Sequence, residues 1–252
     1  MDSGIGSISF FSTLNRLLPG VPLTAFADQK FFPYGEKSEQ EIVNRLVTVS
    51  DQLVELIKPL TILVACNTAS TAVLPALREK FHLPIVGIVP AIKPAAEISK
   101  SKKIALLATP GTVGRSYIQE LIDKYASDCD IIRISCPNLA KLAEQKIIHG
   151  LDVQRSLLNE LQHLKELNHY PYIDTLILGC THFTFLRDEI IHFWDSGIAI
   201  LDPIESVSMQ VKRVNSYNHM PQSKNFLIVS DKIDGYLNLK ESVYGIDDII
   251  FL

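Results

Sequence analysis

Short apolar runs rich in Val, Ile and Leu alternate along the chain with longer amphipathic segments. This alternation is the pattern of parallel strands joined by crossover helices, so we predict an α/β fold with mainly parallel sheets. The predicted strands are residues 23–27, 61–65, 84–88, 103–108, 130–135, 175–178, 199–202 and 226–230. The predicted helices are residues 38–58, 70–81, 114–126, 139–144, 152–167 and 185–196.

Two of the apolar runs end in the same way. One continues as Ala65-Cys66-Asn67-Thr68 and the other as Gly179-Cys180-Thr181-His182, so each places a cysteine where a strand opens into a polar turn. In open parallel sheets, ligands bind beyond the carboxyl ends of the strands. The repetition predicts two pseudo-symmetric, three-layer α/β domains, each of which supplies one thiol. We place the first domain at residues 1–91 with 203–252, and the second at residues 92–202.

Composition and charge exclude several classes of function. The 252 residues are 47% hydrophobic, which suffices for a core, and the net charge is −4 without any basic run. We therefore expect neither nucleic acid nor a membrane as a partner. The longest apolar stretches fall well short of the roughly 20 residues of a membrane-spanning helix. No secretory signal is evident, so a cytoplasmic location is expected.

The chain has four cysteines, at Cys66, Cys129, Cys136 and Cys180. Their spacing matches no zinc pattern, so we expect no metal site, and we expect reduced thiols rather than disulfides. A single buried cysteine is most often a small packing residue, and this is our interpretation of Cys129 and Cys136. The matched contexts of Cys66 and Cys180 favour chemistry instead.

Two thiols that face one substrate from opposite sides suit a racemisation. A thiolate on one side removes the α-proton of an amino acid, and a thiol on the other returns a proton to the opposite face of the planar carbanion. The ground states are mirror images, so a site made of two similar halves fits this reaction better than hydrolysis. His182 is the candidate that would tune the Cys180 thiol, and Asp2 is the matching candidate for Cys66.

Four ordered motifs together resemble those of the glutamate racemases, in the cofactor-independent aspartate/glutamate racemase superfamily. They are Asp2-Ser3-Gly4-Ile5-Gly6, Pro33-Tyr34-Gly35, Ala65-Cys66-Asn67-Thr68-Ala69 and Gly179-Cys180-Thr181-His182. The resemblance extends over nearly the whole chain. The Pro-Tyr-Gly turn favours the glutamate branch over the aspartate and hydantoin racemases.

The resemblance implies a substrate cleft between the two domains and a reaction without any cofactor. It implies that Cys66 acts on the α-proton of D-glutamate with help from Asp2, and that Cys180 acts on that of L-glutamate with help from His182. Glu144 lies where the family has a further acidic residue. The small-molecule partner would be glutamate, the expected assembly is a homodimer, and the product D-glutamate would supply peptidoglycan synthesis. The residues implied in substrate binding are Ser3, Pro33, Tyr34, Gly35, Asn67, Thr68, Thr112 and Thr181.

One departure from the family keeps other hypotheses open. Glutamate racemases have an apolar strand ahead of the Asp-Ser-Gly turn, whereas here Met1 alone precedes Asp2, so we expect the first sheet to lack that strand and Asp2 to be poorly anchored. An alternative is therefore a catalytically impaired binding protein with the racemase fold. A related aspartate or amino-acid racemase is a second alternative. A two-thiol redox protein is a third, although the Cys-x-x-Cys arrangement is missing.

Overall fold

A computed structural model describes residues 1–166, 170–194, 197–215, 224–233, 235–240 and 244–252. These residues divide into two compact units, Met1–Ile88 with Ile204–Leu252 and Val89–Pro203. Within each unit, helices pack against parallel strands, and every strand pair of the described residues is parallel. The predicted α/β class is therefore confirmed. No helix in these ranges is long and apolar enough to cross a membrane.

In its described residues, the first unit contains five strands. They form one sheet with the order β1-β8-β9 and a second sheet that pairs β2 with β3. The helices of this unit are α1 (Phe11–Leu17), α2 (Glu39–Ile57), α3 (Asn67–Lys80) and α10 (Ile204–Val214). The strands are β1 (Thr24–Ala27), β2 (Ile62–Val64), β3 (Ile85–Gly87), β8 (Phe226–Val229) and β9 (Asp248–Phe251).

Helix α2 shows how local sequence sets an element. Ser38 caps its start, since the Ser38 hydroxyl accepts from the amide of Glu41 while the Glu41 carboxylate accepts from the amide of Ser38. Ile42 and Leu46 lie on its buried face and pack on β2 and α3. The capping box and this apolar face explain why 38–58 is predicted so closely.

The first two residues lie between β1 and β2. The Met1 ammonium donates to the carbonyl of Leu63 at 2.8 Å, and the Met1 carbonyl accepts from the amide of Ala65 at 2.8 Å. On the other side, Asp2 forms a parallel bridge with Ala27, next in the chain to Phe26, whose carbonyl accepts from the amide of Asp2. Met1 and Asp2 thus bond to β2 and to β1 at the position where we expected a strand to be missing.

The second unit is built on one four-stranded sheet with the order β5-β4-β6-β7. Its strands are β4 (Lys103–Ala108), β5 (Asp130–Ser135), β6 (Thr175–Leu178) and β7 (Ala199–Leu201). Residues 104–108 of the central strand β4 are fully buried, as expected for a strand covered on both faces. The helices are α4 (Ile92–Ile98), α5 (Pro110–Val113), α6 (Ser116–Tyr125), α7 (Leu139–His149), α8 (Gln154–Leu161) and α9 (Arg187–Trp194).

The helices differ from the predicted ones more than the strands do. Helix α3 begins at Asn67 rather than residue 70, and α7 continues to His149 rather than ending at 144. The predicted helix 152–167 divides into α8 and a 3-10 helix at Gln162–Glu166, and its last residue lies outside the described residues. Residues 195–196 of another predicted helix also lie outside them. The α-helices and strands absent from the prediction are α1, α4, α5, α10 and β9.

Candidate active site

Cys66 lies directly after β2 and is the residue before the first turn of α3. Its side chain is buried, with 7% of its surface exposed. The hydroxyl of Ser70, one turn into α3, donates to the carbonyl of Val64 and accepts from the amide of Ile88, each at 3.0 Å. These two bonds fix the helix start against β2. Cys66 therefore lies between the carboxyl end of a strand and the start of a helix, a position suited to an acid–base thiol.

The Asp2 carboxylate is fixed by its neighbour Ser3. One carboxylate oxygen accepts from the Ser3 amide at 2.6 Å and from the Ser3 hydroxyl at 3.3 Å. Both side chains are buried. The Met1 carbonyl bonds to the amide of Ala65, so the chain that carries Asp2 runs beside the residue that precedes Cys66. The structure thus brings two sequence-predicted residues, Asp2 and Ser3, to the strand end that presents the thiol.

Tyr34 belongs to the same cluster. Its buried hydroxyl donates to the Asp28 carboxylate at 2.8 Å. Burial raises the pKa of Tyr34 well above its usual value, and the negative charges of Asp28, Cys66 and Asp2 raise it further. The phenol therefore stays protonated as a donor near the thiol. Tyr34 starts a short 3-10 helix that includes Gly35 and follows Pro33, whose peptide bond with Phe32 is cis.

Asp28 and Arg45 belong to this cluster and are absent from the sequence prediction. Asp28 is fully buried, and Arg45 on α2 bonds to both of its carboxylate oxygens, at 2.8 and 2.6 Å. The Asp28 amide also donates to the Asp2 carbonyl at 2.9 Å. Asp28 directly follows β1, so the rule that points to polar residues at strand ends could have found it. Arg45, its partner on α2, has no comparable sequence feature that would have pointed to it.

Asn67 and Thr68 are the first two residues of α3 and are buried. They belong to the helix because α3 starts earlier than predicted. Both lie at the carboxyl end of β2, which is the end that carries the thiol. They remain candidates for substrate binding.

In the second unit, Cys180 follows β6 after one glycine and is buried. The Gly179 amide donates to the Leu107 carbonyl at 2.7 Å. A Cβ atom at Gly179 would lie 2.8 Å from that same carbonyl oxygen and 2.9 Å from the Cβ of Ala108. Glycine is required here by the close approach of β4 rather than by its torsion angles. This close packing sets the position from which Cys180 projects.

His182 and Glu144 form a buried relay with Cys180. The Cys180 Sγ lies 3.9 Å from Nδ1 of His182, and Nε2 of His182 lies 2.9 Å from Oε1 of Glu144. Glu144 projects from α7, and the neighbouring Lys146 anchors that helix by donating to the carbonyl of Phe185 at 2.8 Å. The second ring nitrogen of the imidazole is thus oriented by a carboxylate. This chain of thiol, imidazole and carboxylate can move a proton to and from Cys180.

The remaining candidates of the second unit lie at the carboxyl ends of its strands. Thr181 begins the 3-10 helix that follows Cys180 and is buried. Thr112 is also buried, on the short helix α5 that follows β4, and its hydroxyl lies 3.2 Å from that of Thr109. Because β4 pairs with β6, both threonines belong to the same edge of the sheet as Cys180.

The other two cysteines differ from this pair. Cys136 follows β5 and is buried, and burial raises the pKa of its thiol far above the usual value, with Glu160 and Cys180 adding to the effect. Cys129 is half-buried, and burial together with Asp128 raises its pKa as well. Neither thiol begins a helical segment.

In the part of the chain that the structure describes, no cluster of three or more His, Cys, Asp or Glu side chains could hold a metal ion.

Comparison with known proteins identifies the family. The Asp/Glu/hydantoin racemase family model matches residues 4–210. A glutamate racemase of Shewanella sp. (strain MR-7) is 47% identical over 212 residues, 84% of this chain and 76% of that protein. A glutamate racemase of Actinobacillus pleuropneumoniae serotype 7 is 39% identical over 96% of this chain and 91% of its own length.

Solved structures agree with these relatives. One is Escherichia coli glutamate racemase in complex with L-glutamate and the activator UDP-MurNAc-ala, with a TM-score of 0.91 and 36% identity over 100% of this chain and 96% of that one. Another is the Thermus thermophilus glutamate racemase in complex with beta-chloro-D-alanine, with a TM-score of 0.77 and 28% identity over 100% and 94%. The chain therefore belongs to the Asp/Glu/hydantoin racemase family, in the branch formed by the glutamate racemases.

Proposed function

We propose that the chain interconverts L-glutamate and D-glutamate with Cys66 and Cys180 as its two acid–base groups and without a cofactor. The observation that carries the proposal is the same arrangement in both units, a buried cysteine between the end of a parallel strand and the start of a helical segment. Each cysteine is accompanied by buried ionisable groups, Asp2 in one unit and the His182–Glu144 pair in the other.

The proposed reaction moves one proton at each thiol. Starting from L-glutamate, the Cys180 thiolate takes the α-proton, and the electron pair of the C–H bond stays on the planar carbanion. The Cys66 thiol then gives its proton to the opposite face, which leaves D-glutamate, a Cys180 thiol and a Cys66 thiolate. The reverse direction exchanges the two roles. The proposal requires both thiols to reach the same α-carbon.

Each thiol needs a way to restore its proton. His182 is suited to this task for Cys180, because Glu144 holds the far nitrogen and fixes the ring. Asp2 would serve Cys66, and Tyr34 would supply a neutral donor. The polar groups proposed to bind the two carboxylates and the ammonium of glutamate are Ser3, Tyr34, Gly35, Asn67, Thr68, Thr112 and Thr181. Pro33 would set the turn that presents Tyr34.

We further propose the wider setting that the family suggests. D-glutamate made in the cytoplasm would be used for peptidoglycan, and the protein would act as a homodimer. Light scattering on the purified chain measures its oligomeric state directly. The use of D-glutamate for peptidoglycan would be tested by deleting the gene: the cell should lose viability, and added D-glutamate should restore it.

The test of the reaction is deuterium incorporation in D₂O without added cofactor. A thiol exchanges its proton with solvent quickly, so the product enantiomer should carry deuterium at the α-carbon from the first turnovers. The remaining substrate should stay unlabelled, because the thiol that removes its α-proton is not the thiol that delivers deuterium to the product. Equal labelling of substrate and product at low conversion would indicate a single base and would contradict the assignment. No exchange by the folded protein would refute the reaction itself.

Four matched variants test the two thiols. Cys66→Ser and Cys180→Ser should each lower racemisation by at least about a thousandfold, since serine is a far weaker acid than cysteine. Cys136→Ser and Cys129→Ser are the controls, because they remove the same sulfur atom outside the proposed chemistry. Activity that falls equally in all four would show that the loss comes from folding.

A second candidate is a protein that binds glutamate without turnover. What favours it is a cavity between β1 and β2 directly behind Met1, because weak packing there would loosen Asp2. Calorimetric binding of glutamate without deuterium exchange would support this candidate. Turnover by the 252-residue chain at rates of about 1 s⁻¹ or more, the usual range for enzymes, would exclude it.

A further inference from the structure

Helix α7 makes two polar contacts with the segment that follows β6. Oε1 of Glu144 lies 2.9 Å from Nε2 of His182. Two residues further along the helix, the Lys146 ammonium donates to the Phe185 carbonyl at 2.8 Å. The imidazole and this carbonyl both belong to the 3-10 helix Thr181–Leu186. A carboxylate only accepts hydrogen bonds, so Nε2 carries a proton and donates to Glu144. The orientation of the ring therefore depends on where α7 lies.

The Lys146 ammonium meets three acceptors at this junction. Its Nζ atom lies 2.7 and 2.9 Å from the two carboxylate oxygens of Glu189, which belongs to the first turn of α9. Together with the Phe185 carbonyl, these oxygens match the three donors of an ammonium. Only 29% of the Lys146 side chain and 17% of the Glu189 side chain are exposed. Lys146 is thus suited to holding two helices together rather than to binding a substrate carboxylate.

The other side of this ion pair is fixed to the sheet. Arg187, the first residue of α9, donates to the Ile200 carbonyl of β7 at 2.8 Å and to the Asp202 carboxylate at 3.1 Å. Glu189 follows in the first turn of the same helix, where a negative charge is favourable. β7 pairs with β6, the strand that leads to Cys180. The ion pair therefore connects α7 to the sheet that presents the thiol.

Apolar packing alone would hold α7 less firmly. The buried apolar residues of this helix include Leu139, Leu142 and Ile148. Packed helices can still shift past one another by about 1–2 Å. N–H···O bonds span about 2.7–3.2 Å, so a shift of about 1 Å away from the ring would break the bond between His182 and Glu144. The directional bonds of the ion pair oppose such a shift.

We propose that Lys146 and Glu189 are positioning residues for the proton transfers at Cys180. Their ion pair fixes α7 at the distance from which Glu144 holds the imidazole ring. This inference rests on the function proposed above, and it gives neither side chain of the pair a contact with the reacting atoms. Loss of the pair should slow the proton transfers at this thiol and leave those at the other thiol unchanged.

The test compares variants of the full chain. Lys146→Met removes the charge and keeps the length of the side chain, and Lys146→Arg restores the charge and the donors. Lys103→Met is the matched control, because Lys103 also forms an ion pair in the second unit, with Asp130 at 2.7 Å, and 32% of its side chain is exposed. It lies at the amino end of β4, at the edge of the sheet away from the thiol. Glu189→Gln replaces Lys146→Met if the latter does not fold.

The first measurement is independent of catalysis and follows the imidazole N–H proton of His182 by NMR. The His182→Gln variant identifies this signal among those of the seven histidines. In Lys146→Met the proton should exchange with solvent about tenfold faster, the effect of losing roughly one net hydrogen bond. Lys146→Arg should recover most of the protection, and Lys103→Met should match the wild type. A wild type without a protected ring proton would contradict the hydrogen bond on which the proposal depends.

The second measurement is the primary isotope effect in each direction. In Lys146→Met, kcat/KM should fall on the order of tenfold, since a displaced acid–base group is costly. The isotope effect on α-deuterated L-glutamate should rise and that on α-deuterated D-glutamate should fall, because the label of the L enantiomer leaves at Cys180. Partial unfolding would lower the amount of active enzyme and move neither isotope effect. Lys146→Arg should return both isotope effects towards those of the wild type.

The two levels of the hypothesis fail in different ways. A folded wild type that does not racemise glutamate would refute the proposed function, and imidazole exchange would then decide alone whether the ion pair positions the ring. An active wild type together with unchanged exchange and unchanged isotope effects in Lys146→Met would overturn this inference. Equal changes in Lys103→Met would overturn it as well, because any ion pair of this unit would then have the same effect.

Discussion

The ion pair between Arg45 and Asp28 offers a direct test of how the first unit is held together. Asp28 is fully buried, whereas 23% of the Arg45 side chain is exposed. Arg45 provides two of the bonds to that carboxylate, and Tyr34 provides another. The Arg45→Met substitution keeps the apolar length of the side chain and removes both bonds together with the positive charge.

The expected loss follows from leaving a buried carboxylate without its counter-charge. Removing one partner of a buried ion pair costs about 3–5 kcal/mol. The Tyr34 hydroxyl still donates to Asp28, and methionine still covers the ring of Phe31 over which the guanidinium lies, so we expect the lower end, about 3 kcal/mol. For a chain of this size, that is a fall of roughly 6–12 °C in the unfolding midpoint.

Urea unfolding followed by far-UV circular dichroism measures this loss. Trp194, the only tryptophan of the chain, lies in the second unit, and its fluorescence reports on that unit separately. Adding Asp28→Asn to Arg45→Met removes the uncompensated charge, so the double variant should be more stable than Arg45→Met alone. Arg16→Met is the matched control, because its ion pair with Glu205 is exposed and contributes less than about 1 kcal/mol. A loss below 1 kcal/mol in Arg45→Met, or a double variant less stable than the single one, would refute this reasoning.

Three further outcomes can be measured. Gly179→Ala should lose about 1–3 kcal/mol and much of the activity, because its Cβ meets the carbonyl of β4, whereas Gly114→Ala, with 3.8 Å of clearance, should stay near neutral in urea unfolding. Burial lowers the pKa of the Met1 amino group from 8.0 to about 6, so the unfolded state binds more protons between these values. The free energy of unfolding should therefore rise from pH 6 to pH 8, by up to about 2–3 kcal/mol, and acetylation of Met1 should remove that increment. Burial tends to raise the pKa of Asp174, but hydrogen bonds led by the one from Ser99 outweigh it and lower the pKa to about 2, so the stability difference between the wild type and Asp174→Ala should shrink as the pH falls from 4 towards 2.

Strands such as β4 and β6 were predictable because burial on both faces gives them short, continuous apolar sequences. β9 escaped this reasoning, since its residues are half-buried or exposed and it begins at an aspartate. The early start of α3 escaped it too, because Cys66 precedes the helix and provides no side-chain hydrogen bond to its start. In both cases tertiary packing supplies what the local sequence does not encode.

The candidate site was predictable where its parts are close in sequence. Cys180 and His182 share one short motif, and Cys66 is recognisable because it repeats that context. The Asp28–Arg45 pair could not be predicted, because it exists only when α2 packs beside the end of β1. The pairing of His182 with Glu144 likewise depends on α7 lying against the segment after β6. Contacts between helices and strands depend on how these elements pack, and the pattern of a single sequence does not indicate which elements pack together.

The two proposed half-sites differ in how their acid–base partners are held, and this difference has a kinetic consequence. Glu144 orients His182 from α7, whereas Asp2 depends on backbone bonds made by the first two residues. The substrates are enantiomers with an equilibrium constant of one, so kcat/KM must stay equal in both directions however badly Asp2 is placed. A weak Cys66 side makes the proton transfers at that thiol limiting in both directions. α-Deuterated D-glutamate would then show a large primary isotope effect and α-deuterated L-glutamate a small one, because only the former loses its label in the slow step.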